Sequence, residues 1–261
     1  MSDKARHILE IRILDFLPSE LMMLNFHVRT LLHTPFFIIS VLGSGVSFSF
    51  LKAFSFAGDA SGSEAFWVYS TIASLWAATT LATGLIGYQR FQGTFPYLLL
   101  SPQGIPAVFV PLIVSAAFLG LVLGVPVSLL FGFLWFHQVV VRPVYLLAIL
   151  LATLACAASA LCLSALYLLT RRASIYEGLI LTGVWLISGI VVPLSNFSEP
   201  VQLLFCIHPL TVAVKILAAV SVQELVLLCI AACALSICFA IVGSKVVAAS
   251  FARVRREGDF S

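Results

Sequence analysis

The chain has 261 residues, of which 61% are hydrophobic and 10% charged, and its mean hydropathy is +1.12. A soluble domain is about one-quarter charged, so this chain could not cover its surface with polar groups in water. That excludes an ordinary cytosolic enzyme, a nucleic-acid binder and a disordered regulator; the net charge of +3 says little until its distribution is read.

Residues 1–34 are too polar to cross a bilayer. Met1–Arg12 mixes both charge signs, unlike a cleavable signal peptide. After Pro18, Ser19 and Glu20 open a run in which Leu21, Leu24, Val28, Leu31 and Leu32 recur at helical spacing. This predicts an amphipathic helix in the membrane interface, entering the first span at Pro35. The first apolar stretch, Pro35–Ala57, carries Gly43-Ser44-Gly45, which permits close helix approach, and Lys52 near its far end, able to snorkel. A polar turn, Gly58–Glu64, leads to the second stretch, Ala65–Gly87. Its hydroxyls, Ser70, Thr71, Ser74, Thr79, Thr80 and Thr83, suit helix packing or the lining of a pathway.

The segment Tyr88–Pro102 is not polar like an ordinary loop. It reads as a short amphipathic helix whose apolar side, Phe95, Leu98, Leu99 and Leu100, needs a partner surface. Gly93-Thr94 starts it and Ser101-Pro102 stops it. The third stretch, Ile105–Phe136, holds Pro106, Pro111 and Pro126; a turn at His137–Pro143 returns the chain through the fourth, Val144–Thr170. Glu177 is expected to pair with Arg171 or Arg172 in the next turn. The fifth stretch, Leu179–Leu194, is short, and the last is Leu225–Val247. Between them, Val201–Ile207 and Pro209–Val220 are apolar but too short to span. They read as half-helices broken at His208-Pro209, and irregular backbone at membrane depth must be covered by protein or line a cavity.

With the N-terminus in the cytoplasm, eleven of the fourteen basic residues face inward and only Lys52, Arg142 and Lys215 face outward. That is the positive-inside pattern of a six-span protein with both termini cytoplasmic. Asp59, Glu64, Glu199 and Glu224 fall on the outer side. No phosphate-binding loop is encoded; Gly243-Ser244-Lys245 lies inside an apolar run. Any ATPase must therefore be another chain. The six cysteines, Cys156, Cys162, Cys206, Cys229, Cys233 and Cys238, lack the neighbours of a metal site and read as packing residues. The expected fold is an all-α integral membrane protein with six transmembrane helices. Its organisation is an amphipathic connecting helix at 1–34, a membrane domain at 35–248 and a cytoplasmic tail at 249–261. The membrane domain would include a cytoplasmic coupling helix at 88–104 and an outer re-entrant half-helix pair at 195–220.

Two segments together resemble the type 2 ABC exporter permease family. Tyr88-Gln89-Arg90-Phe91-Gln92-Gly93-Thr94-Phe95-Pro96-Tyr97-Leu98-Leu99-Leu100-Ser101-Pro102 is similar to that family's E-R-E-x-G-T-L-E-x-L-L-x-S-P element. Ser188–Leu194 followed by Ile207-His208-Pro209-Leu210-Thr211 is similar to its S-G-x-x-x-P and N-P-L-T elements. Gln89 or Gln92, and Pro96, stand where the family has acidic residues, and His208 stands where it has Asn. The resemblance implies a permease subunit in the cell membrane that dimerises with a second or related copy and works with a separate ATP-binding cassette subunit. That partner would carry ATP and Mg, and this chain no cofactor. Arg90, Phe91, Gly93, Thr94, Phe95, Leu98, Leu99, Ser101 and Pro102 would form the coupling surface; Val192, Pro193, Leu194, His208 and Pro209 would belong to the outer gate.

The cargo expected from spans rich in Phe, Leu, Ser and Thr is amphipathic or lipid-like: a drug, a peptide antibiotic or a lipid-linked glycan. The alternative is a secondary transporter or channel without an ATPase, which usually wants ionisable groups at mid-membrane; no Asp or Glu falls there. A membrane enzyme would need clustered polar groups, but His7, His27, His33, His137 and His208 are scattered.

Overall fold

The computed structural model describes residues 20–55, 64–91, 105–137, 139–170 and 174–257. Helix α1 covers residues 20–32. There follow α2 (Pro35–Ser55), α3 (Phe66–Phe91), α4 (Ile105–Phe136), α5 (Pro143–Leu169) and α6 (Ser174–Ile187). Two short helices, α7 (Glu199–Phe205) and α8 (Pro209–Lys215), precede the long α9 (Val222–Glu257), and 3-10 turns occupy Leu194–Asn196 and Ile216–Ala218. No strand occurs among the described residues.

Among the described residues, four helices are long and apolar enough to cross a membrane: Pro35–Phe54, Phe109–Phe136, Pro143–Leu169 and Val222–Val254. The α7–α8 pair, bent by 119°, makes a fifth crossing if taken as one broken span. These are the helices of a membrane-embedded protein. Of the six stretches expected from sequence, two do not qualify by themselves. Helix α6 has only 14 residues, and α3 is diluted by its hydroxyls.

The reason for those hydroxyls is position. Helix α3 runs through the middle of the bundle, packed against α2, α4, α5 and α6, and Ser70, Thr71, Ser74, Thr79, Thr80 and Thr83 are all at most 1% exposed. Ser74 bonds the carbonyl of Ser70, Thr79 those of Leu75 and Trp76, and Thr83 that of Thr80. These three hydroxyls are thus satisfied against their own helix, whereas those of Ser70, Thr71 and Thr80 are buried with no hydrogen-bond partner among the described residues. All six side chains present a small surface to neighbours. In lipid no hydrophobic drive separates helices from solvent, so close backbone approach matters more. A Cβ on Gly124 of α4 would lie 2.8 Å from the Cβ of Ser74, and one on Gly120 would lie 3.1 Å from the Cα of Leu75. A Cβ on Gly45 of α2 would also close on Ser74, 2.6 Å from Oγ, whereas one on Gly43 would meet nothing within 4 Å. The hydroxyl face is therefore packed core, not a wall of a passage within the chain.

At one end of the bundle, Glu64 and Arg142 form an ion pair, and Trp67 Nε1 donates to the carbonyl of Val140 at 2.9 Å. Lys52 does not escape to the surface there. It is 2% exposed, with Nζ 4.5 Å from the centre of the Tyr69 ring. At the other end, Ile86, Phe109, Leu168, Val247 and Phe251 share one apolar cluster. That cluster joins the C-terminal halves of α5 and α9, which run parallel. Gly243 makes their contact possible, because a Cβ there would sit 2.9 Å from the Cys162 backbone nitrogen. Helix α1 docks beside this end through Leu31, 1% exposed, and through Ser115 of α4, whose Oγ donates to the Leu24 carbonyl at 3.1 Å.

Candidate functional site: the helix break at His208

Proline at position 209 disfavours α-helical backbone at the residue before it. His208 is accordingly extended, with φ −83° and ψ 127°, and Pro209 opens α8 as its first residue. The His208 side chain completes the cap: Nδ1 accepts a hydrogen bond from the Leu210 N–H at 3.3 Å. An accepting Nδ1 carries no proton, so in the neutral ring Nε2 carries it and donates to Ser159 Oγ of α5, 3.3 Å away. The ring edge also meets Trp76 of α3, with centroids 6.0 Å apart and planes at 90°, and Phe239 of α9 at 5.7 Å and 78°. The break is therefore held by three separate helices.

The two halves of the pair have opposite surroundings. In α8, Pro209, Leu210, Thr211, Val212, Ala213 and Val214 are all buried. In α7 no residue is buried, and Leu203, Leu204 and Ile207 are largely exposed. One arm is anchored in the bundle and the other lies on its surface, apolar side outward.

The chain between α6 and α7 approaches the same anchor. Thr211 Oγ1 donates to the Ile187 carbonyl at 3.3 Å, where α6 ends. Gly189 then takes φ +81°, a left-handed conformation that side-chain-bearing residues adopt at a cost. A Cβ at Gly189 would also lie 2.9 Å from Leu194 Cγ. Ile190 is fully buried, while Val192 and Leu194 are half-buried and Pro193 is exposed. Thus Val192, Pro193 and Leu194 sit on the turn after α6, His208 and Pro209 sit at the break, and Thr211 ties the two places together.

Arg90 and Phe91 close the α3 helix, their side chains lying outside the described residues. Gly93, Thr94, Phe95, Leu98, Leu99, Ser101 and Pro102, and with them the coupling helix, lie outside the described residues, as do the side chains of Arg171, Arg172 and Glu177. Sequence reading passed over Trp76, Ser159 and Phe239, because a single polar or aromatic residue in an apolar run has no periodicity of its own. It also passed over Gly120-x-x-x-Gly124, a recognisable small-residue spacing for close helix contact.

Comparison of the chain with protein-family models, with curated proteins and with solved structures finds no match.

Proposed function

We propose that this chain is the membrane permease subunit of an ATP-driven exporter, working as one of two permeases with separate ATP-binding subunits. The observation that carries the reading is the α7–α8 pair, bent by 119°. One arm is locked into α3, α5 and α9 through His208, and the other lies on the surface of the bundle with no buried residue. A break of this kind is costly in lipid unless it serves a purpose, and a seal that tilts on a capped hinge is such a purpose. The resemblance of residues 88–102 to a coupling element supplies the other half of the argument. In this reading six crossings place both termini in the cytoplasm, the pair sits at the outer surface, and amphipathic or lipid-like cargo leaves between two permeases. Coupling requires that ATP binding favour one arrangement of the pair over another.

The test is tagged chain recovered from its native membrane and assayed for co-purified, vanadate-sensitive ATP hydrolysis. Phe95→Asp with Leu99→Asp should insert normally yet lose that activity, because charge would enter a surface buried against the ATPase. Unchanged ATPase recovery and transport would reject the assignment.

One observation favours a second reading, a gradient-driven transporter. Lys52 is an ionisable side chain buried among the helices on Tyr69, and such residues often mark ion or proton paths. Export that persists without ATP and collapses with a protonophore would select it.

A further inference from the structure

We infer that the groove between the C-terminal ends of α5 and α9 binds the headgroup of an anionic phospholipid. The groove has a volume of about 450 Å³ and is lined by Leu169, Lys245, Val246, Ala249, Ser250 and Arg253. Lys245, Ala249 and Arg253 follow one another at four-residue intervals, so they share one face of α9. The two cations are spaced about 12 Å along the axis at 1.5 Å per residue. Both are exposed, and buried Ser250 lies on the floor between them.

The depth of the groove fits a headgroup. Residues 225–244 are uncharged, between Glu224 and Lys245. Those twenty residues make a helix of about 30 Å, the thickness of a bilayer's hydrocarbon core. Lys245 therefore marks the hydrocarbon boundary, and Arg253 stands beyond it in the polar layer. Leu169 and Val246, 48% and 43% exposed, lie at the boundary level, where the glycerol and first methylenes of a lipid would rest. Cationic grooves between helices at this depth suit acidic headgroups.

The groove of equal volume at the opposite end of α9 makes the contrast. It holds Lys215 together with Glu224, and Glu224 Oε2 already accepts from the Val220 N–H at 3.1 Å. Mixed charge there offers no preference for an anion. Among the described side chains, no carboxylate lines the Lys245–Arg253 groove.

The experiment adds phosphatidylglycerol or phosphatidylcholine to the full chain in mild detergent and reads bound lipid by native mass spectrometry. The intact protein should bind phosphatidylglycerol in preference. Lys245→Gln with Arg253→Gln should weaken that binding at least tenfold, at about fivefold per cation, and leave phosphatidylcholine binding unchanged. Lys245→Arg with Arg253→Lys should retain the preference. Arg29→Gln, which removes a charge elsewhere, should have little effect. An unchanged preference in the double glutamine variant would overturn the inference, as would an equal loss from Arg29→Gln or a parallel loss of phosphatidylcholine. Displacement of the lipid by inorganic phosphate would identify a soluble-anion site instead. An intact protein without preference would leave the groove to an acidic segment of a protein partner, and the lipid assignment would fail.

Discussion

His208 Nε2 lies 3.3 Å from Ser159 Oγ, joining the break between α7 and α8 to the middle of α5. The same ring caps α8 through Nδ1, so one side chain both starts a helix and fastens it. Removing an N-cap costs about 1 kcal/mol, and the lost link to Ser159 adds about 1 kcal/mol more. His208→Ala should therefore lower the melting temperature of the purified protein by several degrees. His208→Asn, which can still cap but is too short to reach Ser159, should recover part of the loss. Equal melting temperatures for all three proteins would show that the break is held by packing alone.

The α5–α9 contact predicts a contrast between two glycines. Gly243→Ala forces a methyl to 2.9 Å from the fixed Cys162 backbone nitrogen, and overpacking of this kind costs about 1–3 kcal/mol. Gly43→Ala meets nothing within 4 Å, and alanine is the better helix former by about 1 kcal/mol. Thermal melts should move in opposite directions. A destabilised Gly43→Ala would mean that another chain packs on that face.

The turn after α6 is constrained twice. At Gly189 the left-handed backbone itself costs a side-chain-bearing residue about 1–2 kcal/mol, and Leu194 blocks the space for a Cβ. Gly189→Ala should be destabilising, and trimming the neighbour in Gly189→Ala with Leu194→Ala should give only partial recovery. In the exporter reading, Val192→Trp or Leu194→Trp should impair export while the partner's ATP hydrolysis continues. Loss of assembly in these variants would point to packing instead.

His27 supplies a pH dependence outside the spanning helices. Burial holds its pKa below the ordinary imidazole value, and Nε2 finds no hydrogen-bond partner among the described residues. A base with a lowered folded pKa binds its proton more tightly once released, so docking of α1 is fully supported above the ordinary histidine pKa. That support declines as pH falls through that value toward the lowered one. Hydrogen exchange of residues 20–32 should accelerate on acidification, and His27→Leu should remove the pH dependence. Identical profiles for the two proteins would show that His27 is not the sensor.

Membrane residence, a helix following Ser19 and the place of the broken pair were legible in the sequence. Each rests on local chemistry: the run of uncharged residues 225–244, the spacing of Leu21, Leu24, Val28 and Leu31, and proline after His208. Backbone hydrogen bonds in lipid must close within the segment, so composition alone dictates helices there. The tertiary structure decided what those helices face. Only packing shows that the hydroxyl-rich α3 is core, because the same Ser and Thr pattern would suit a pathway. Lys52, legible as a snorkelling residue, is instead covered by Tyr69, a neighbour seventeen positions away in the chain. The anchoring of His208 on Trp76, Ser159 and Phe239 joins residues distant in sequence. Helical periodicity reports which side of a segment is apolar; it carries no information about which other segment fills that side.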